Sequence, residues 1–101
     1  MRTPEPGSIV GVSRSLLEAN WSWPVHGLRH QPTGDTSGWY VWTGELSAAP
    51  DFFVPLHAEH LLEQVPELVT YLGLAPGSRF LLAPGNEDIW TDAALLDIEP
   101  Q

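Results

Sequence analysis

Two histidines stand three residues apart, His57 and His60, in the segment PLHAEHL (55–61) of a chain of 101 residues. With Glu63 one helical turn beyond His60, they form a set that could hold a divalent ion or act as an acid–base pair. The zinc-protease helix motif requires histidines at i and i+4 with glutamate directly after the first. Here the interval is three, and no further ligand is identifiable. The apolar stripe of the helix expected from Pro55 centres near Ala58 and Val65. His57 then lies about 100° from that centre and borders the core, while His60 lies about 160° away and faces solvent. A helix start also disfavours charged imidazole and favours a carboxylate such as Glu59. The residues thus read as helix-start packing. A small metal- or ligand-binding domain built on His57, His60 and Glu63 is the alternative.

Other catalytic sets are weaker. There is no cysteine, which excludes disulfides and thiolate metal sites. Ser13 follows a strand-like run in GVSRS but lacks the second glycine of a nucleophile elbow. No glycine-rich phosphate loop occurs. Glu87 and Asp88, with Asp92 nearby, fall in a turn and an exposed strand start, where solvated acids are usual. His26 and His30 alternate with Leu28 on one strand face and fit half-exposed positions on an edge strand, with a second metal pair across the sheet as the alternative. No enzymatic activity and no cofactor are expected.

The elements that would position these residues follow from periodicity and turn chemistry. Residues 1–7, with two prolines and a glycine, read as a flexible tail, and 8–101 as one domain. SIVGV (8–12) is β-like, and Ser13 or Ser15 can cap a short helix, RSLLEA, ended by Asn20. WPVHGLRH reads as a strand with Pro24 at its start. The polar loop QPTGDTSG leads into WYVWTGEL, the most strand-like stretch, with Trp39, Val41 and Thr43 on one face and Tyr40 and Trp42 on the other. Ala58, Leu61, Leu62, Val65, Val69 and Leu72 form a helical stripe from Pro55 to Leu72. At Pro66 this helix kinks or a second one begins. Gly73 fits a left-handed cap, with Leu74 packing back and Pro76 preventing continuation. Pro76-Gly77 and Pro84-Gly85 suit type II turns. They flank the strand SRFLLA, and EDIWTD forms a last strand. AALLDI is a helical turn or an extended edge. The expected fold is α+β: a mostly antiparallel sheet of four to five strands against one main, Pro-interrupted helix, plus a short N-terminal helix.

The formal charge is −9, with 13 acidic residues, four arginines and no lysine. Such a surface repels nucleic acid and speeds encounter with a basic protein. No apolar run is long enough to span a bilayer, no signal peptide is evident, and a reducing, cytoplasmic location fits. Trp21, Trp23, Trp39, Tyr40, Trp42 and Trp90 are too many for one face of a small sheet. They either fill the core and a second small layer or serve as surface anchors.

The pieces GSIVGVSRSLL, SGWYVWTGE, DFFVPLHAEHL, YLGLAPGSRFLLA and DIW occur in this order over Gly7 to Leu96. In them the chain resembles small bacterial immunity proteins of polymorphic-toxin systems, the Imm-thirty-three-like class. The resemblance implies a standalone antidote that binds and neutralises a toxin, and it supplies no catalytic residues. Taken with the charge, the expected partner is a basic toxin domain such as a nuclease. The expected contact residues are Asp35, Trp42, Glu45, Glu87, Asp88 and Trp90, and the expected state is a monomer or weak dimer. A dimerising structural module using an exposed aromatic sheet face is a further alternative.

Overall fold

The computed structural model describes residues 8–96 apart from Asp35 and Ala48; the expected tail at 1–7 lies outside the described residues. Its strands are β1 (Ile9–Ser13), β2 (Val25–Arg29), β3 (Thr36–Thr43), β4 (Phe53–His57), β5 (Ser78–Ala83) and β6 (Asn86–Thr91). One α-helix, α1 (Ala58–Gln64), follows β4. Short 3-10 helices occupy Arg14–Leu17, Pro66–Val69, Tyr71–Gly73 and Ala93–Leu96. The strands form one sheet in the order β4-β1-β3-β2-β5-β6. The β1–β3 pair is parallel and the other four are antiparallel.

The α+β class stands, but the sheet is mixed and has six strands rather than four to five. The additional strand is β4, which sequence periodicity assigns to the helix. Pro55 does not open the helix. It sits inside β4, pairing with Gly11 of β1. A proline lacks the ladder donor, and β4 is an edge strand, where that loss is tolerated. The helix begins three residues later, after His57, whose backbone is still extended (φ −68°, ψ 142°).

The expected N-terminal helix shrinks to one 3-10 turn, Arg14–Leu17, and neither serine caps it. Their hydroxyls serve the sheet instead. Thr43 N–H donates to Ser13 Oγ at 3.3 Å, and the Ser15 and Thr43 hydroxyls share a hydrogen bond of 2.6 Å. This cluster fastens the ends of the parallel pair, and Ser13 is buried.

Pro66 ends α1, and the chain continues as 3-10 turns. A 3-10 helix repeats every three residues, so the buried positions are Val65 and Leu68, and Val69 turns outward at 51% exposure. Gly73 belongs to the 3-10 helix Tyr71–Gly73 and is not left-handed. The Pro-Gly turns behave as expected: Gly77 and Gly85 have φ of 93° and 74°, the sign required at the second central position of a type II turn.

The pleat sends alternate side chains to opposite faces. Val10, Val12, Val25, Trp39, Val41, Phe80 and Leu82 point to one face, where Leu16, Ala58, Leu61, Val65, Leu68 and Leu72 cover them as one core. Gly27 lies on this face because Phe80 occupies the space; an added Cβ would stand 2.3 Å from its ring. The opposite face carries His26, Leu28, Tyr40, Trp42, Phe53, Arg79 and Trp90.

Candidate protein-binding site

His57 and His60 are both exposed, and their ring centroids lie 5.7 Å apart. Among the described residues no group of three or more His, Cys, Asp or Glu side chains is placed to hold a metal, so Glu63 does not complete a site with them. His57 lies where β4 ends and α1 begins rather than inside the helix.

The aromatic residues divide between two layers. Trp39 is 1% exposed, donates its indole N–H to the Leu72 carbonyl at 3.0 Å, and packs against Phe80 with centroids 5.5 Å apart. Trp21 and Trp23 meet edge to face at 4.9 Å beside this core. On the opposite face, Trp42 stacks on His26 at 5.1 Å, with ring planes 7° apart, and its edge meets Phe53 at 6.0 Å. Tyr40 reaches Phe53 at 5.0 Å and His30 at 5.7 Å. Trp42, expected at the contact surface, is therefore only 4% exposed. Its ring is spent on packing and supports the surface rather than presenting itself there. Trp90 is 43% exposed, with the Arg79 guanidinium 5.6 Å from its ring centre.

A groove of about 640 Å³ runs along this second face, lined in part by His30, Gln31, Thr33, Tyr40, Phe53 and Leu95. His30 Nδ1 lies 3.1 Å from the Leu95 carbonyl oxygen, which places a proton on Nδ1. This bond ties the 3-10 turn Ala93–Leu96 to the residue that follows β2.

His26 lies under Trp42 and diagonally across from Arg79. Burial first, and then the Arg79 charge, lower its pKa below the ordinary imidazole range. Its charged form is thus disfavoured in the folded chain. The contribution to stability is full above the unfolded pKa, about 6.5, and is lost as pH falls from there through the lower folded value. The melting temperature should fall below about pH 6.5, and His26→Gln should flatten this part of the profile. Calorimetry of both proteins from neutral to mildly acidic pH checks this.

Three of the remaining expected contact residues share one strand. Glu87, Asp88 and Trp90 all lie on β6, the edge opposite β4, and every residue of β6 is exposed. Ile89, between Asp88 and Trp90, is 46% exposed. Sequence reasoning left it out, although strand alternation already puts it on the face of Glu87. The Tyr71 hydroxyl donates to Glu87 Oε2. That bond, followed by burial and the carboxylate charge, raises the pKa of the tyrosine. Glu67, Tyr71 and Glu87 line a groove of about 460 Å³ with Trp23 and the Pro84-Gly85 turn. Glu45 is exposed just beyond Thr43. Thr43, Val25, Leu82 and Glu87 form one row across four strands, so Glu45 lies at the same end of the sheet as Glu87 but three strands away. Asp35 lies outside the described residues.

Among the described residues, the geometry assembles no set of nucleophile, base and oxyanion donors. It offers an acidic strand edge with two adjacent apolar side chains. The model of the Imm33-like domain matches residues 1–92. The chain belongs to the Imm33-like family. This is an immunity-type class, and the match spans all six strands and α1. No curated protein and no solved structure matches the chain. Among the described residues of this Imm33-like domain, no helix is long and apolar enough to cross a membrane.

Proposed function

We propose that this Imm33-like domain is a cytoplasmic bacterial immunity protein that binds a cognate toxin of a polymorphic-toxin system and neutralises it without catalysis. The family match over residues 1–92 carries this reading. The charge of −9 and the exposed acidic edge support a basic partner, because complementary charge steers encounter and fixes orientation. The contact residues proposed are Glu45, Glu87, Asp88 and Trp90. Glu87 and Asp88 would cover cationic groups of the toxin, and Trp90 with Ile89 would anchor the apolar centre of the interface. The buried Trp42 would stiffen the sheet behind them.

The test is growth. Where a toxin domain is encoded beside this gene, cells expressing that domain should stop dividing, and co-expression of this chain should restore their growth. Continued arrest, with the chain present in soluble and folded form, would contradict the proposal.

A further inference from the structure

Both faces of the sheet are furnished with side chains, but its two edges differ. β4 is an edge strand with Pro55 in its middle, which removes a ladder donor. β6 contains no proline, and among the described residues it pairs with β5 alone. The phase of its ladder follows from one bond. Asp92 N–H donates to the Gly77 carbonyl at 2.7 Å. This continues the β5–β6 register one step past Ser78 and Thr91. In antiparallel pairing, hydrogen-bonded and non-bonded pairs alternate. Trp90 and Asp88 therefore direct their main-chain groups toward β5. Glu87, Ile89 and Thr91 direct theirs away from the sheet.

We propose that β6 is a docking edge that takes an extended, basic segment of the partner protein as a seventh strand. Outward N–H and C=O groups on three alternate residues are the backbone pattern that strand addition uses. The side chains then specify the guest. Glu87 and Asp88 are adjacent, as are Ile89 and Trp90, and within each pair the two side chains project to opposite faces. A matching segment carries two basic residues next to two apolar ones. Charges alone can protect an edge from unwanted pairing. Two half-exposed apolar side chains beside the acids do the opposite, since they leave an edge that gains from being covered. A second copy of this chain is the poorer guest, because it brings the same two carboxylates and another charge of −9. The mode of binding deepens the immunity reading, and only the identity of the guest rests on that reading.

The probes are two capped peptides, Thr-Val-Val-Lys-Lys-Thr for antiparallel addition and Thr-Lys-Lys-Val-Val-Thr for parallel addition, with glutamate replacing lysine in the controls. Amide hydrogen exchange is read by NMR on the whole chain. With one lysine peptide at about ten times its Kd, exchange at Glu87, Ile89 and Thr91 should slow about tenfold. Asp88 and Trp90, already bonded to β5, should not change. Ile89→Pro should abolish the effect while keeping the fold, because that N–H is not used in the β5 ladder. The proposal is overturned if neither lysine peptide slows exchange up to its solubility limit, if the slowing does not alternate along β6, or if the glutamate controls act equally. Protection that appears without peptide as protein concentration rises would assign the edge to a second copy and overturn it too. Rescue of growth without the alternating pattern would leave the immunity reading standing and remove strand addition. The alternating pattern without rescue would do the reverse.

Discussion

Trp39→Ala should strongly destabilise the domain and lower its melting temperature. The ring is fully enclosed, packs against Phe80, and holds the Leu72 carbonyl through its indole N–H. The Arg29 guanidinium lies 5.6 Å from the ring centre on the same side of the sheet. Arg29 itself donates to the carbonyls of Ser37 and Leu74, each at 2.8 Å. Alanine would open a cavity, leave the Leu72 carbonyl without its donor, and loosen the arginine that ties β2 to the loop before β5. Truncating a buried tryptophan costs about 3–5 kcal/mol, a large part of the roughly 5–15 kcal/mol that holds a domain of this kind. At about 4–8 °C per kcal/mol for a domain near this size, the melting temperature should fall by more than about 12 °C. Thermal denaturation followed by circular dichroism measures it. Trp39→Phe, which keeps most of the ring but not the donor, should fall between wild type and alanine.

Charge reversal at β6 should act on binding instead. Glu87→Lys with Asp88→Lys changes the formal charge from −9 to −5, and it does so on the edge proposed to meet the toxin. Steering by complementary charge raises association rates by about 10- to 1,000-fold at low salt, and altered rim charges act mainly on that rate. The double variant should associate with the toxin domain at least about tenfold more slowly at low ionic strength. Added salt should slow the variant less than the wild type, because much of its attraction is already removed. Its melting temperature should stay within a few degrees of wild type, since both side chains are exposed and exposed charges add little to stability. Stopped-flow association over a salt series reads both effects. Unchanged rate and salt dependence would remove the acidic edge from the interface.

Much of the fold is legible from local pattern. SRFLLA forms β5 with the expected limits, and WYVWT lies in β3. The two Pro-Gly turns also fall where their chemistry places them. What escaped detection depends on contacts distant in sequence. Proline reads equally well as a helix start or as an edge-strand residue, and only the pairing of Pro55 with Gly11 decides between them. Leu68 rather than Val69 faces the core because Pro66 changes the period from 3.6 to three residues per turn. Ser13 and Ser15 resemble helix caps because their sequence neighbours are helical, whereas their partner Thr43 is 28 or more positions away.

The candidate site was legible only in part. An acidic pair followed by a tryptophan can be seen in NEDIW, and it lies on an exposed strand as its polarity suggests. That this strand closes one edge of the sheet, and that Ile89 turns its main-chain groups outward, follow from sheet order and ladder phase, which no single segment encodes. Trp42 shows the converse. Its residue type favours interfaces, but His26 and Phe53, brought to it from other strands, enclose it.

Neutralisation by binding is tested by titration. Increasing amounts of the purified chain are added to a fixed amount of the purified toxin domain, and residual toxin activity is measured. Binding without turnover predicts that activity falls linearly and vanishes at one chain per toxin, with both proteins recovered intact as a single complex. Complete loss of activity at a small fraction of that ratio would mean that the chain acts catalytically on the toxin. Full activity in the presence of excess folded chain would mean that it is not the antidote.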